Sequence, residues 1–193
     1  SDPLNVPAGE SRAGLIGAGD LPDDPSGLMP WEVGDYVLAN DHLAFVIEAA
    51  GDADGYDPHG GKLVGIARML DGELVEPADF NEVILLAGQH VLEASSVSVI
   101  ADGSDGGAAV VRALGTPGPL PFIDVLLQLV FPGALDEVEF AIDYVLEPGA
   151  EELLVRYHFN NASTNRWRSS FNVMVFQHER MTSFAPDVGF ELE

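Results

Sequence analysis

From Val138 the side chains alternate without a break. Val138, Phe140, Ile142, Tyr144 and Leu146 fall on one side, and Glu139, Ala141, Asp143, Val145 and Glu147 on the other. A period of two residues marks a strand with one face in a core. Pro148-Gly149-Ala150-Glu151 supplies turn chemistry. A second strand follows, with Leu153, Val155, Tyr157 and Phe159 on one face and Leu154, Arg156, His158 and Asn160 on the other. The two apolar faces coincide only if Tyr144 lies by Val155, Ile142 by Tyr157 and Phe140 by Phe159, because a slip of one residue would expose the whole core set. That register places Asp143 opposite Arg156, an exposed pair of the kind that contributes roughly 0.2–1 kcal/mol.

A third alternating run, Trp167 to His178, sets Trp167, Phe171, Val173 and Val175 against Arg168, Asn172, Met174 and His178. Folded back through Asn161–Arg166, it would bring Asn172 beside Arg156 and Ser170 beside His158. Upstream, the same reading gives strands at Val33–Ala39 and Leu43–Glu48 around an Asn40-Asp41 turn. Lys62–Leu70 and Glu73–Val75 join at Asp71-Gly72, and Phe80–Leu86, His90–Ala101 and Ala108–Leu114 follow. The run FIDVLLQLVF, Phe122–Phe131, suits a strand or a short buried helix, and its β-branched residues and flanking prolines favour a strand. Residues 1–30 are rich in Pro, Gly and Asp and read as loop, with one short strand near Arg12–Gly17. The expected fold is all-β: an antiparallel β-sandwich, a super-sandwich of about eleven strands with little or no helix, as a single domain over residues 1–193.

Composition narrows the function classes. The chain has 193 residues, 47% of them hydrophobic, enough for one substantial core. Eight basic residues against 32 acidic ones give a formal net charge of −24, which repels nucleic-acid phosphates, anionic membrane surfaces and polyanionic substrates. There is no cysteine, so disulfides and thiol catalysis are excluded. No run of about 18 apolar residues exists to insert into a membrane. No basic segment followed by an apolar one stands at the N-terminus. Leu192-Glu193 has the look of a cloning junction, and on that reading the expectation is a piece of a longer natural chain.

Several groups carry candidate chemistry. Arg156, His158, Asn172 and His178 would share the polar face of three neighbouring strands. There they either hydrogen-bond sugar hydroxyls or form a solvated sheet face in which Arg156 pairs with Asp143. Trp31 offers a stacking platform or plugs a sheet edge, whereas Trp167 points inward. Asp52, Asp54 and Asp57 in DADGYD, and Asp102 and Asp105 in DGSDGG, are oxygen ligands at the short spacing calcium uses, or plain acidic turns. His59 stands alone beside Gly60-Gly61. His42, His90, His158 and His178 show no zinc spacing, and no GxSxG motif is present. Gly17-Ala18-Gly19 lacks the lysine of a phosphate loop.

The blocks GDYVLAND–LAFVI (34–47), HGGKL (59–63), SVIADGSDGGAAVVRALG (98–115) and DYVLEPGAEELLVRYHFNNAS (143–163) carry a resemblance. They resemble an N-terminal β-sandwich module of large secreted or lipid-anchored bacterial proteins and, in wider outline, the galactose-mutarotase-like super-sandwich. The resemblance implies two stacked, curved sheets and a concave surface on which relatives bind sugar. Mutarotases use a histidine acid and a glutamate base, and no such pair aligns here. Lys62 stands where an amide often follows the Gly-Gly pair. The expectation is a non-catalytic, extracytoplasmic module that binds carbohydrate or serves a structural or interaction role, with other domains of the same longer chain as partners. A mutarotase-like enzyme and a calcium-stabilised interaction module are the alternatives.

Overall fold

The computed structural model of the chain describes residues 2–21, 31–53, 55–75, 80–120, 138–164, 166, 170–177, 183–185 and 189–191. Among them are thirteen strands and no helix: β1 (Ser11–Leu15), β2 (Tyr36–Asn40), β3 (Leu43–Ile47), β4 (Leu63–Leu70), β5 (Glu73–Val75), β6 (Phe80–Ala87), β7 (His90–Asp102), β8 (Ala109–Pro119), β9 (Val138–Leu146), β10 (Leu154–Asn161), β11 (Phe171–Gln177), β12 (Ser183–Ala185) and β13 (Gly189–Glu191). Eleven form one antiparallel sheet in the order β1-β2-β3-β4-β6-β7-β8-β9-β10, with β5 on β4 and β11 on β6; β12 and β13 pair separately.

This sheet behaves as two layers because its middle is loosely joined. β6 meets β4 only at Leu63↔Val83 and β7 only at Ala87↔His90. On either side of β6 the strands fold toward each other. Leu38, Phe45, Ile47 and Leu63 come from one side, and Ala109, Val111, Ala113, Phe140, Ile142, Tyr144 and Leu146 from the other; all share one core cluster. Polar bonds cross between the layers. The Tyr36 hydroxyl donates to the Val97 carbonyl (2.7 Å), the Asn40 amide to the Ala150 carbonyl (2.7 Å) and the Tyr144 hydroxyl to the Gly61 carbonyl (2.8 Å).

The β9–β10 register is as the alternation requires: Tyr144↔Val155, Asp143↔Arg156, Ile142↔Tyr157 and Phe140↔Phe159. The Asn40-Asp41 turn is also present. There the Asn40 side-chain oxygen accepts from His42 and Leu43 N–H groups, each at 2.9 Å. At the β4–β5 turn Asp71 and Gly72 both take positive φ, 53° and 83°, the pattern of a tight two-residue hairpin.

β2, β3 and β4 are apolar on both faces. Their second face (Val37, Ala39, Ala44, Val46, Val64, Ala67, Met69) is covered by Leu4, Ile16 and Trp31. Trp31 is only 4% exposed and donates from its ring N–H to the Val64 carbonyl at 3.2 Å. A Cβ at Gly65 would lie 2.3 Å from its ring, so the bare glycine backbone is what admits the indole. The loop-rich N-terminal stretch is thus the lid of a second core.

The third run of the opening pattern departs from expectation. β11 does not return to β10; it pairs with β6, so Asn172 lies opposite Leu86 and away from Arg156. Its faces are also reversed. Met174 and Phe176 pack against Ile84, Leu86, Val91 and Leu120, while Phe171, Val173 and Val175 are exposed. Both faces of this strand are apolar, so alternation alone could not say which one turns inward. Trp167, Arg168, His178 and Phe122–Phe131 lie outside the described residues.

Phe140 is fully buried and stacks on Phe159 with ring centroids 4.6 Å apart. Phe140→Ala is expected to lower unfolding free energy by about 3–5 kcal/mol in urea titration, the range for emptying an aromatic core position.

Candidate functional site

Two polar constellations stand out. The first lies on the outer face of β8–β10. One row across the strands runs Ser98, Arg112, Asp143, Arg156. Asp143 does not pair with Arg156 as its position opposite suggests. It is buried, and its carboxylate turns toward β8, where Arg112 makes a two-pronged bond (Nε to Oδ1 2.6 Å, a terminal nitrogen to Oδ2 2.7 Å). His158 Nε2 lies 2.8 Å from the same Oδ2. The side-on meeting of a planar guanidinium and a carboxylate is a strong geometry, and it fixes the Asp143 side chain against β8. Burial pushes the Asp143 carboxyl up, but the hydrogen bonds and charge of Arg112, aided by His158, outweigh it and hold the group below the usual range.

Arg156 is left exposed, and it makes no ion pair among the described residues. Leu154 is exposed two residues before it on β10, and Leu114 and Ile100 are exposed two and three strands away on β8 and β7. The aromatics of β10, Tyr157 and Phe159, point inward onto Phe140. No aromatic side chain of the described residues in β7–β10 faces outward here.

The second constellation lies beneath the loop 51–62. The loop is pinned by an Asp52↔His59 bridge and by main-chain bonds from Ala53 to Pro58 and from Gly60 to Gly51, both 2.9 Å. Under it Lys62 is buried, 5% exposed at the side chain, with its ammonium 3.2 Å from Glu82 Oε2 and 3.3 Å from Glu48 Oε2. The ammonium also donates to the Asp57 and His59 carbonyls. Glu82, with a fully buried side chain, accepts from the Tyr56 and Asp57 N–H groups as well. Burial drives the Glu48 carboxyl up to about 7, against the pull of Lys62, and drives Asp57 and Asp35 up too. The adjoining cavity, lined by Asp57, Gly61, Lys62 and Tyr144, measures about 10 Å³, too small for a substrate.

The remaining candidates are dispersed. Asp57 accepts from the His59 N–H (3.1 Å), and the Nε2 of His59 lies 3.8 Å from Glu93. Asp54 and His178 are outside the described residues. Asp102 accepts from the Ser104 hydroxyl and N–H, which lowers its pKa, and Asp105 accepts from the Gly107 N–H; each caps its own turn. Among the described residues no three His, Asp or Glu side chains are grouped to hold a metal ion. Trp31 is buried and is not a surface platform, and Asn172 of β11 donates to the hydroxyl of Ser170, just before that strand. A separate cleft of about 350 Å³, bordered by Leu4, Asn5, Asp41, Met69 and Asp71, contains none of the expected site residues.

Arg112, Glu48 and Glu82 were not singled out from sequence. The available signal was a charge inside an apolar strand: VVRAL, FVIEA and FNEVILLA. No protein-family model, no curated protein and no solved structure matches the chain.

Two outcomes follow from the electrostatics. Asp143 has a depressed pKa, so its stabilisation is present above the unfolded value and is lost as pH falls through the folded one. Asp143→Asn should therefore cost about 1.5–3 kcal/mol at neutral pH and almost nothing at the acid end, as read by urea unfolding at each pH. Glu48 has a raised pKa, so the opposite sign holds. Its contribution is full below about 4.5 and is lost as pH climbs through about 7. Unfolding free energy should fall by roughly 2 kcal/mol between pH 5 and 8, with Asp35 and Asp57 acting in the same direction, and Glu48→Gln should flatten the decline.

Proposed function

We propose that this chain is a non-catalytic, extracytoplasmic β-sandwich module that serves as an interaction unit, with the outer face of β8–β10 as its contact surface. The observation that carries this reading is Arg156: an exposed arginine without an ion pair among the described residues, with exposed Leu154 two residues before it on β10 and exposed Leu114 two strands away on β8. Arginine beside aliphatic surface is the composition of an interface centre. The Arg112–Asp143–His158 network holds the sheet beneath it in a fixed array. The partner that fits is an acidic or apolar surface of another domain in the same longer chain, in keeping with the resemblance to N-terminal modules of large bacterial proteins.

Carbohydrate binding has less behind it, because among the described residues this face offers no aromatic on which a sugar ring stacks. A mutarotase-like enzyme has less still. It requires a histidine and a carboxylate facing each other across a sugar, whereas His158 and Asp143 are bonded directly at 2.8 Å.

The test is an NMR titration of labelled protein with neutral mono- and oligosaccharides and, separately, with the neighbouring region of the natural chain. The interaction reading expects shifts at Arg156, His158 and Leu154 with the second, weakened at least tenfold in affinity by Arg156→Glu. Shifts at these residues with a sugar would replace it by the carbohydrate reading.

A further inference from the structure

We propose that β10 is a docking edge: it takes one extended segment of a partner protein as an added strand, with a carboxylate of that segment opposite Arg156. This deepens the reading of the β8–β10 face as a contact surface, and it rests on that reading. Among the described residues β10 pairs with β9 alone and ends the sheet. Its side chains alternate exposed and half-buried from Leu154 to Phe159, whereas β9 beside it is buried from Phe140 to Leu146. Such an edge presents main-chain N–H and C=O groups to any strand that can match it. Of the devices that blunt natural edges, β10 has neither a proline nor a bulge. Its one fixed charge, Arg156, turns away basic strands and admits acidic ones.

The charge pattern places the acid. The row Ser98, Arg112, Asp143, Arg156 crosses the sheet and stops at the edge. Asp143 is engaged by Arg112 and His158, so Arg156 has a filled position on one side and an open one on the other. An acid at the open position continues the alternation, and opposite charges directly across a strand pair attract. On the inner face Val155, Tyr157 and Phe159 pack on the main core but stay half-buried. Exposed Phe171 leans on the Tyr157 and Phe159 rings and extends this apolar border. Apolar side chains at alternate positions of the added segment would cover it.

A second copy of this chain does not fit the edge. With faces matched, antiparallel self-pairing sets Arg156 opposite Leu154, Arg156, His158 or Asn160 of the copy, and none is an acid. The net charge of −24 repels a copy as well. The same charge selects a segment with a single central acid and basic residues at its ends.

The experiment is an NMR titration of labelled protein with a synthetic peptide of alternating valine and threonine. One central threonine is replaced by glutamate, and a lysine stands at each end; a control peptide has lysine in place of that glutamate. The glutamate peptide should shift the β10 main-chain amides that face away from β9 and protect them from hydrogen exchange. The control should bind at least about tenfold more weakly, because like charges then meet at Arg156. Arg156→Glu should invert the preference and Arg156→Gln should erase it. The proposal is overturned if neither peptide binds, if binding falls on another edge such as β1 or β11, if the two peptides bind alike, or if Arg156→Glu leaves their order unchanged. Shifts confined to outer side chains of β8 and β9, with β10 amides unprotected, overturn strand addition and leave the contact surface standing. If the neighbouring region of the natural chain also produces no shift on this face, both readings fall.

Discussion

Strand β9 meets water on neither face along most of its length, and the rest of the molecule is arranged to allow that. From Phe140 to Leu146 every residue is buried. One side supplies Phe140, Ile142, Tyr144 and Leu146 to the shared core. The other carries Asp143, a charge that no buried strand tolerates unpaired. Arg112 and His158, one from each neighbouring strand, meet that demand. Their engagement with Asp143 leaves Arg156 outside the network, and the contact surface proposed for this module is therefore a by-product of burying β9.

Lys62 meets the same demand on the opposite side of the core. Glu82 has no exposed side-chain surface and is followed in its strand by five apolar residues, Val83–Ala87. Lys62 and two loop N–H groups satisfy it. Removing one member of such a set costs far more than the set contributes as a whole, because what remains is a buried bare charge. Both constellations thus work as locks on geometry more than as sources of net stability.

What could be read from the sequence was local. The β9–β10 register followed from two apolar faces a short turn apart, and the Asn40 and Asp71-Gly72 turns followed from their residue types. What could not be read depended on distant partners. Trp31 covers β4 because Gly65 leaves space for its ring, and neither residue announces the other. Asp143 chose Arg112 over Arg156 because β8 lies on its far side, a fact invisible within the hairpin. β11 joined β6 although β10 was nearer in sequence, since both of its faces are apolar and either could turn inward. Lys62 looked like a substitution in a glycine loop until β3 and β6 brought Glu48 and Glu82 to it.

The second core has a bearing on the order in which the chain assembles. β1 pairs with β2 at the edge of the sheet, between Leu4 and Ile16 of the cover over β2–β4, yet the Ser11 hydroxyl donates to the Gly107 carbonyl and accepts from the Ala109 N–H, bonds that span 96 and 98 residues. β1 and β2 are close in sequence and can pair early. Ser11 cannot be seated until β8 arrives. Contacts of such long separation in sequence make folding slow, because the loop between them must be ordered before they form. Ser11 therefore ties the edge strand β1 to the far half of the main sheet, and its two bonds can form only once β8 is in place.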